Sequence, residues 1–287
     1  MALTDQKIKE LEGKALDIRR SIIEMLIAAK SGHTAGALDM TDIFTYLYFT
    51  NSKTGAHGLN HDPKNPNWTY RDRLVLSNGH ICPVLYATMA HAGYFPVSEL
   101  KTLRKFRSRL QGHPHREWLP MLETSSGPLG SGLSQTVGMA IAERMDTGRT
   151  GSKQFFCMLG DGELDEGQNW EAIMLAAREK LGNLTVVVDR NNIQIDGFTE
   201  DIMPLNPLAD KWRAFNWHVQ EVDGHNFSAL DNAFGQARAV TDRPSVILAY
   251  TISSKGVPAF EGKYEWHGKP PTTPEEIAIA KKSLGMK

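Results

Sequence analysis

Two short apolar runs, Phe155–Leu159 and Leu184–Val188, organise the chain's hydrophobic pattern. Each is bounded by turn residues and the second is β-branched, which predicts two buried strands. Between them, Gln168–Lys180 carries Ile173, Leu175, Ala176 and Ala177 among polar positions, the pattern of a helix. A strand–helix–strand unit with a right-handed crossover lays its strands parallel in one sheet, so both end at the same edge. Gly160-Asp161-Gly162 follows the first strand and Asn191-Asn192 follows the second. Asp161 and Asn191 should therefore project into one crevice at the carboxyl edge, where open α/β sheets bind ligands.

The rest of the pattern extends this unit. Asp5–Lys30 reads as an amphipathic helix capped by Thr4 or Asp5, with Ile8, Leu11, Leu16, Ile18, Ile22 and Ile23 on its apolar face. Its exit is expected at Ser31-Gly32-His33, through the glycine. A second helix covers about Met40–Phe49, followed by a polar, Pro- and Asn-rich loop over Thr50–Asn67. Arg73–Ser77 is a strand closed by Ser77-Asn78-Gly79-His80, and helices are predicted at Cys82–His91 and Ser98–Phe106. Arg107–Ser134 is a loop long enough to favour a functional role. Gly132–Arg144 reads as helix. Beyond the central unit come a linker with Pro204 and Pro207, a helix at Leu208–Phe215 and a strand at Trp217–Val222. A helix at Phe227–Val240 and a buried strand at Ser245–Thr251 follow. This alternation predicts an α/β fold, a mostly parallel sheet with helices on both faces. One domain is expected over 1–287, with a C-terminal tail from about 252.

Composition narrows the function. The 287 residues are 41% hydrophobic and 23% charged, with a net charge of −1. That balance gives no electrostatic basis for binding nucleic acid or an anionic membrane. The early apolar run Ile22–Ala29 is interrupted by Glu24 and is too short to span a bilayer. No signal peptide is visible, and Cys82 and Cys157 fall in apolar segments as buried thiols, so a cytoplasmic protein is expected.

Candidate chemistry gathers at the crevice. A carboxylate, an amide and nearby carbonyls are hard oxygen donors suited to Mg²⁺ or Ca²⁺. Gly162 allows close approach of a phosphate to the backbone. The acidic run Asp161, Glu163, Asp165, Glu166 would repel a bare diphosphate, so a bridging cation is expected. Other motifs fail on spacing. A dinucleotide fingerprint needs glycine at Asp165, and a nucleotide-triphosphate loop needs Gly-Lys-Ser/Thr. A calcium hand needs glycine at Glu166 and glutamate at Ala172. A sharp turn with a solvated acidic loop is the plain alternative. Elsewhere, His33, His80 and His113 lie in glycine-flanked loops and His267 in a Gly/Pro-rich segment. Each can donate or accept a hydrogen bond or exchange a proton near neutral pH. No HxxxH or CxxC pattern suggests zinc.

The GDG at Gly160–Gly162 followed about thirty residues on by the Asn pair resembles the thiamine diphosphate motif. More closely, the chain resembles the N-terminal, diphosphate-binding half of transketolase. The matching stretches are SGH at Ser31–His33, RDRLVLSNGH at Arg71–His80, GHP at Gly112–Pro114, SSGPLGSG at Ser125–Gly132 and WHGKPP at Trp266–Pro271. The resemblance implies transfer of a two-carbon ketol unit between sugar phosphates, using thiamine diphosphate and Mg²⁺ (or Ca²⁺). It assigns Asp161, Asn191 and the Ile193 carbonyl to the metal and Gly162 to the diphosphate. His33 and His113 would face substrate, His80 the cofactor, and His267 both. Gly127 and Leu129 would contact the aminopyrimidine ring through the backbone. Glu166 would meet the cofactor-activating glutamate of a second subunit. One departure is local: Thr34 follows the SGH histidine where the family commonly has proline. A larger one is length, since the chain ends after this first domain. That implies the N-terminal subunit of a split transketolase, paired with a C-terminal subunit carrying the pyrimidine-binding domain in an α2β2 assembly. Two alternatives stand beside it. The α-subunit of a 2-oxo acid dehydrogenase shares GDG and the Asn ligand, but SNGH, GHP and WHG favour transketolase. A non-catalytic cofactor-binding regulatory protein is opposed by the intact Asp161, Asn191 and four histidines.

Overall fold

A computed structural model describes residues 3–50, 56–148 and 153–287. The first half holds α1 (Asp5–Ala29), α2 (Ala35–Asp39), α3 (Thr41–Phe49), β1 (Arg73–Leu76), α4 (Cys82–His91) and α5 (Ser131–Thr147). The central unit is β2 (Phe155–Gly160), α6 (Gly167–Arg178) and β3 (Leu184–Arg190). Then come β4 (Ile193–Gln194), β5 (Gly197–Phe198), α7 (Thr199–Ile202), α8 (Leu208–Ala214), β6 (His218–Asp223), α9 (Phe227–Ala239), β7 (Ser245–Tyr250) and α10 (Pro274–Ser283).

The main sheet runs β1-β2-β3-β7-β6, and every neighbouring pair is parallel. Phe155 stands opposite Leu184 and Gly160 opposite Asp189, so β2 and β3 reach the carboxyl edge in step. Alternate side chains feed two cores. Phe156, Met158, Val187 and Ile247 pack against α1, α3, α4 and α9, whereas Phe155, Cys157, Leu159, Val186, Val188 and Leu248 pack against α5, α6 and Trp212 of α8. Burying a side chain such as Phe156 or Val187 stabilises the fold by about 1.5–3 kcal/mol. The doubly covered parallel sheet is the one the apolar runs predict.

Local differences have local causes. Thr4 caps α1 by accepting from the Lys7 N–H at 3.2 Å, but the exit is made by Lys30 in the left-handed region (φ 52°), ahead of the glycine expected to serve. A short helix, α2, precedes α3. The Ser98–Phe106 helix is a 3₁₀ segment over Val97–Thr102. Part of the loop expected at Thr50–Asn67, residues 51–55, lies outside the described residues. The expected tail ends in a helix, α10. A reciprocal capping box opens it, with Thr273 Oγ1 accepting from the Glu276 N–H and Glu276 Oε2 from the Thr273 N–H. Arg20 of α1 then binds the Leu284 carbonyl at 2.8 Å. Val257, Phe260, Trp266, Ala280 and Leu284 join the first core, so the segment after β7 is packed onto the body.

Candidate active site

Three strand ends build the floor. Ser77 and Asn78 follow β1, Asp161 follows β2, and Asn191 follows β3. Above them lies a cavity of about 290 Å³. Of the residues singled out from sequence, His33, His80, His113, Gly127, Leu129, Asp161, Gly162, Asn191, Ile193 and His267 all line it. Glu166 does not. It is exposed at the entry to α6, and its backbone N–H binds the Glu163 carbonyl.

Asp161 is buried, with all its partners local to the carboxyl edge. Oδ1 accepts from the Gly162 N–H at 2.8 Å, and Oδ2 accepts from the Asn192 N–H at 2.7 Å and Arg190 Nη1 at 2.9 Å. Burial raises its pKa, against the opposing pull of Arg190 and the two N–H groups. The Gly162 N–H is thus turned onto the neighbouring carboxylate. Asn191 is fixed by its amide nitrogen, which donates to Asp39 Oδ2 at 2.9 Å and Asp189 Oδ2 at 3.0 Å. Its carbonyl oxygen therefore faces the other way and accepts from the Ile193 N–H at 3.0 Å. Burial, then the neighbouring Asp189 charge, raises the pKa of Asp39, and burial raises that of Asp189. Asp39 Oδ1 is buried without a partner among the described residues.

The histidines converge from four distant segments. His33 follows α1, His80 sits in a 3₁₀ turn after β1, His113 lies in the long loop, and His267 follows a 3₁₀ turn at Tyr264–Trp266. Ring centroids are 4.8 Å apart for His33–His80, 5.3 Å for His80–His267 and 5.7 Å for His33–His267. Burial lowers all four pKa values; His33 falls to about 4, helped by His267, Arg104 and His113, and His80 falls well below its usual value. Near neutral pH they are uncharged imidazoles that can accept a proton or share one. His33 Nδ1 and His267 Nδ1 are buried without partners among the described residues, which suits a polar ligand between them.

Two further residues, given no role in the site from sequence, hold it together. Glu163, counted there only as one of four repelling acids, turns inward. Its Oε1 accepts from Ser77 Oγ at 2.5 Å and the Gly130 N–H at 2.8 Å, and Oε2 accepts from the Gly160 N–H at 3.1 Å. Burial pushes its pKa up to about 7 against those donors. One carboxyl thus ties the β1 turn, the GDG turn and the GPLG loop together. Gly132 completes the junction, because a Cβ there would meet Ser77 Cβ at 2.5 Å. Thr34, where proline was expected, is fully buried and donates through Oγ1 to the Lys269 carbonyl at 2.7 Å. It ties the His33 loop to the His267 segment. Gly268 lies against the His33 ring.

The family model described as "Transketolase, thiamine diphosphate binding domain" matches residues 13–287. The chain belongs to the transketolase family. Within it, the chain is a thiamine diphosphate-binding domain. Among similar proteins, the 6-deoxy-6-sulfo-D-fructose transketolase subunit of Clostridium sp. (strain MSTE9) is 42% identical over 265 residues, 92% of each chain. An apulose-4-phosphate transketolase subunit of Actinobacillus succinogenes is 38% identical over 277 residues, 96% of each. The solved transketolase of Campylobacter jejuni superposes with a TM-score of 0.87 at 33% identity, covering 97% of this chain and 43% of its own. The chain therefore spans less than half of that solved transketolase but nearly all of the two relatives named as subunits.

Proposed function

We propose that this chain is the diphosphate-binding, N-terminal subunit of a two-chain transketolase, which moves a two-carbon ketol unit from a ketose phosphate to an aldose acceptor. The observation that carries the reading is that one cavity is walled by Asp161, Asn191 and four uncharged histidines together. The near-complete match to relatives named as subunits supports a partner chain. The alternative of a 2-oxo acid dehydrogenase subunit has no such support.

Asp161 Oδ1, the Asn191 carbonyl oxygen and the Ile193 carbonyl would hold Mg²⁺ or Ca²⁺. The donor set fits, since all three are hard oxygens and Asn191 has its nitrogen turned away by two carboxylates. Bound thiamine diphosphate supplies the carbanion chemistry. The chain's own groups grip, orient and move protons. His80 would steady the diphosphate end, and Gly127 and Leu129 would contact the aminopyrimidine through the backbone. His33 and His113 would bind substrate hydroxyls and exchange protons there, with His267 serving both.

Glu166, exposed beside α6, would meet the partner's activating glutamate. Exposed Met145, Met174 and Leu175 on α5 and α6 supply apolar surface for that interface. Two copies of the pair, α2β2, follow the general preference for two-fold assembly. Residues 1–287 act as one domain, closed over the cavity by the segment from about 252. Buried free thiols at Cys82 and Cys157 support a cytoplasmic setting. Among the described residues no helix is long and apolar enough to cross a membrane.

Turnover decides the reading. The purified chain with thiamine diphosphate, Mg²⁺, xylulose 5-phosphate and an aldose phosphate acceptor should be inactive alone and active with its partner. Robust activity of a verified single-chain preparation would refute the two-chain reading. Activity of the pair on pyruvate but not on ketose phosphates would refute ketol transfer.

A further inference from the structure

Asp161 is the one anionic group among the proposed cation ligands, and a guanidinium is fixed against it. Arg190, the last residue of β3, is buried with its fork between two carboxylates. Nη1 donates to Asp161 Oδ2 at 2.9 Å and Nη2 to Glu200 Oε1 at 2.5 Å. The planar fork makes the bridge possible, since each nitrogen reaches a different acid. Asp161 Oδ2 also takes the Asn192 N–H, so Oδ1 is the oxygen left for a cation. Glu200 stands on α7, is more exposed than Arg190, and is held by the Leu205 N–H at 3.2 Å and the Asn206 N–H at 3.4 Å.

We propose that the Asp161–Arg190–Glu200 chain makes cation binding conditional on the diphosphate. The inference rests on the reading of Asp161 and Asn191 as cation ligands. Arg190 offsets part of the charge of the one anionic ligand, so Asp161 offers a divalent ion less negative charge than an unpaired carboxylate would. Hard cations are held by ligand charge as well as by ligand number, and a ligand whose charge is partly offset holds them more weakly. A diphosphate brings the missing negative charge, and ion and cofactor are then retained together. Glu200 sets the balance by drawing part of the guanidinium charge outward. Because the pair is buried, salt screens it far less than a surface pair.

The test is Mn²⁺ binding, followed by electron paramagnetic resonance on the chain assembled with its partner, with and without thiamine diphosphate. An opposite charge this close changes a carboxylate's proton affinity by about 10–1,000-fold, and a divalent ion at the same oxygen should respond by at least about tenfold. Arg190→Met should tighten Mn²⁺ alone by that factor and narrow the gap between affinities without and with cofactor. Glu200→Gln should act in the opposite direction, weakening Mn²⁺ alone by several-fold, because the full guanidinium charge then falls on Asp161. Unchanged affinities in both variants, or weaker Mn²⁺ binding in an Arg190→Met protein whose circular dichroism matches the parent, would overturn the proposal. If Arg190→Met does not fold, Glu200→Gln decides alone, and equal or tighter binding overturns it. Asp161→Ala separates the two levels. Normal ternary binding in that variant would mean that the cation site itself is misplaced, whereas its loss with no response at Arg190 and Glu200 would reject this inference only.

Discussion

Replacing Glu163 should damage the site by loosening its frame. The carboxyl is the shared acceptor of Ser77 Oγ, the Gly130 N–H and the Gly160 N–H, all in the closely packed floor. Glu163→Ala strands three donors at once. Each unsatisfied buried group costs about 1–3 kcal/mol, and the losses overlap because they share one centre, so the total should be about 3–5 kcal/mol. In a chain of this size that lowers Tm by about 10 °C. Glu163→Gln keeps Oε1 for Ser77 and Gly130 and sets an NH₂ against the Gly160 N–H. Its cost should be near one lost acceptor, about 2 kcal/mol or about 5 °C. Calorimetry on both variants measures these shifts, and titration with thiamine diphosphate should show weaker binding in the order parent, Gln, Ala. Equal Tm values for Gln and Ala, or a loss below about 2 °C in both, would refute the idea that one carboxyl fastens three loops.

Alanine at His33, His113 or His267 should lower kcat for ketol transfer by ~10²–10⁴-fold while changing cofactor affinity much less; normal turnover in all three would return them to a structural role. The folded value of about 4 for His33 lies below its unfolded value of 6.5, so the unfolded chain binds more protons between these limits. Its stabilising contribution is complete above pH 6.5 and drains as pH falls toward 4, by at most about 3 kcal/mol. In urea denaturation the stability advantage of the parent over His33→Gln should shrink from pH 7 to pH 5; a constant or growing advantage would contradict the assignment. Thr34→Val removes the hydrogen bond to Lys269 at nearly constant volume and should cost about 1 kcal/mol and several-fold in kcat. Thr34→Ser should restore turnover, and if it behaves like valine the hydroxyl is not what matters.

The sheet was legible because parallel strands buried on both faces read as continuous apolar runs, and the crossover rule then places Asp161 and Asn191 at one edge. The four histidines needed the family resemblance, since nothing local brings residues 33, 80, 113 and 267 together. Glu163 was misjudged because an acidic run looks solvated. Its inward turn comes from the donors of Ser77 and Gly130, which are remote in sequence. Arg190 carried no signal, its partners being Asp161 and a glutamate on a later helix. The last helix was readable in principle, because Thr273-Pro274-Glu275-Glu276 spells a capping box. The β4–β5 pair is too short to show a period.

The bond between Thr34 and Lys269 spans 235 residues of sequence, and its effect reaches into biosynthesis. A nascent chain can lay down β1 to β7 before the residues that complete the first core and supply the cavity's last wall have been made. Contacts of such long range form late, after the local helices and strand pairs. A chain cut before Trp266 would lose His267, the Thr34–Lys269 bond and the core contacts of Trp266, Ala280 and Leu284 together, so one wall of the cavity and one edge of the core stand or fall as a unit.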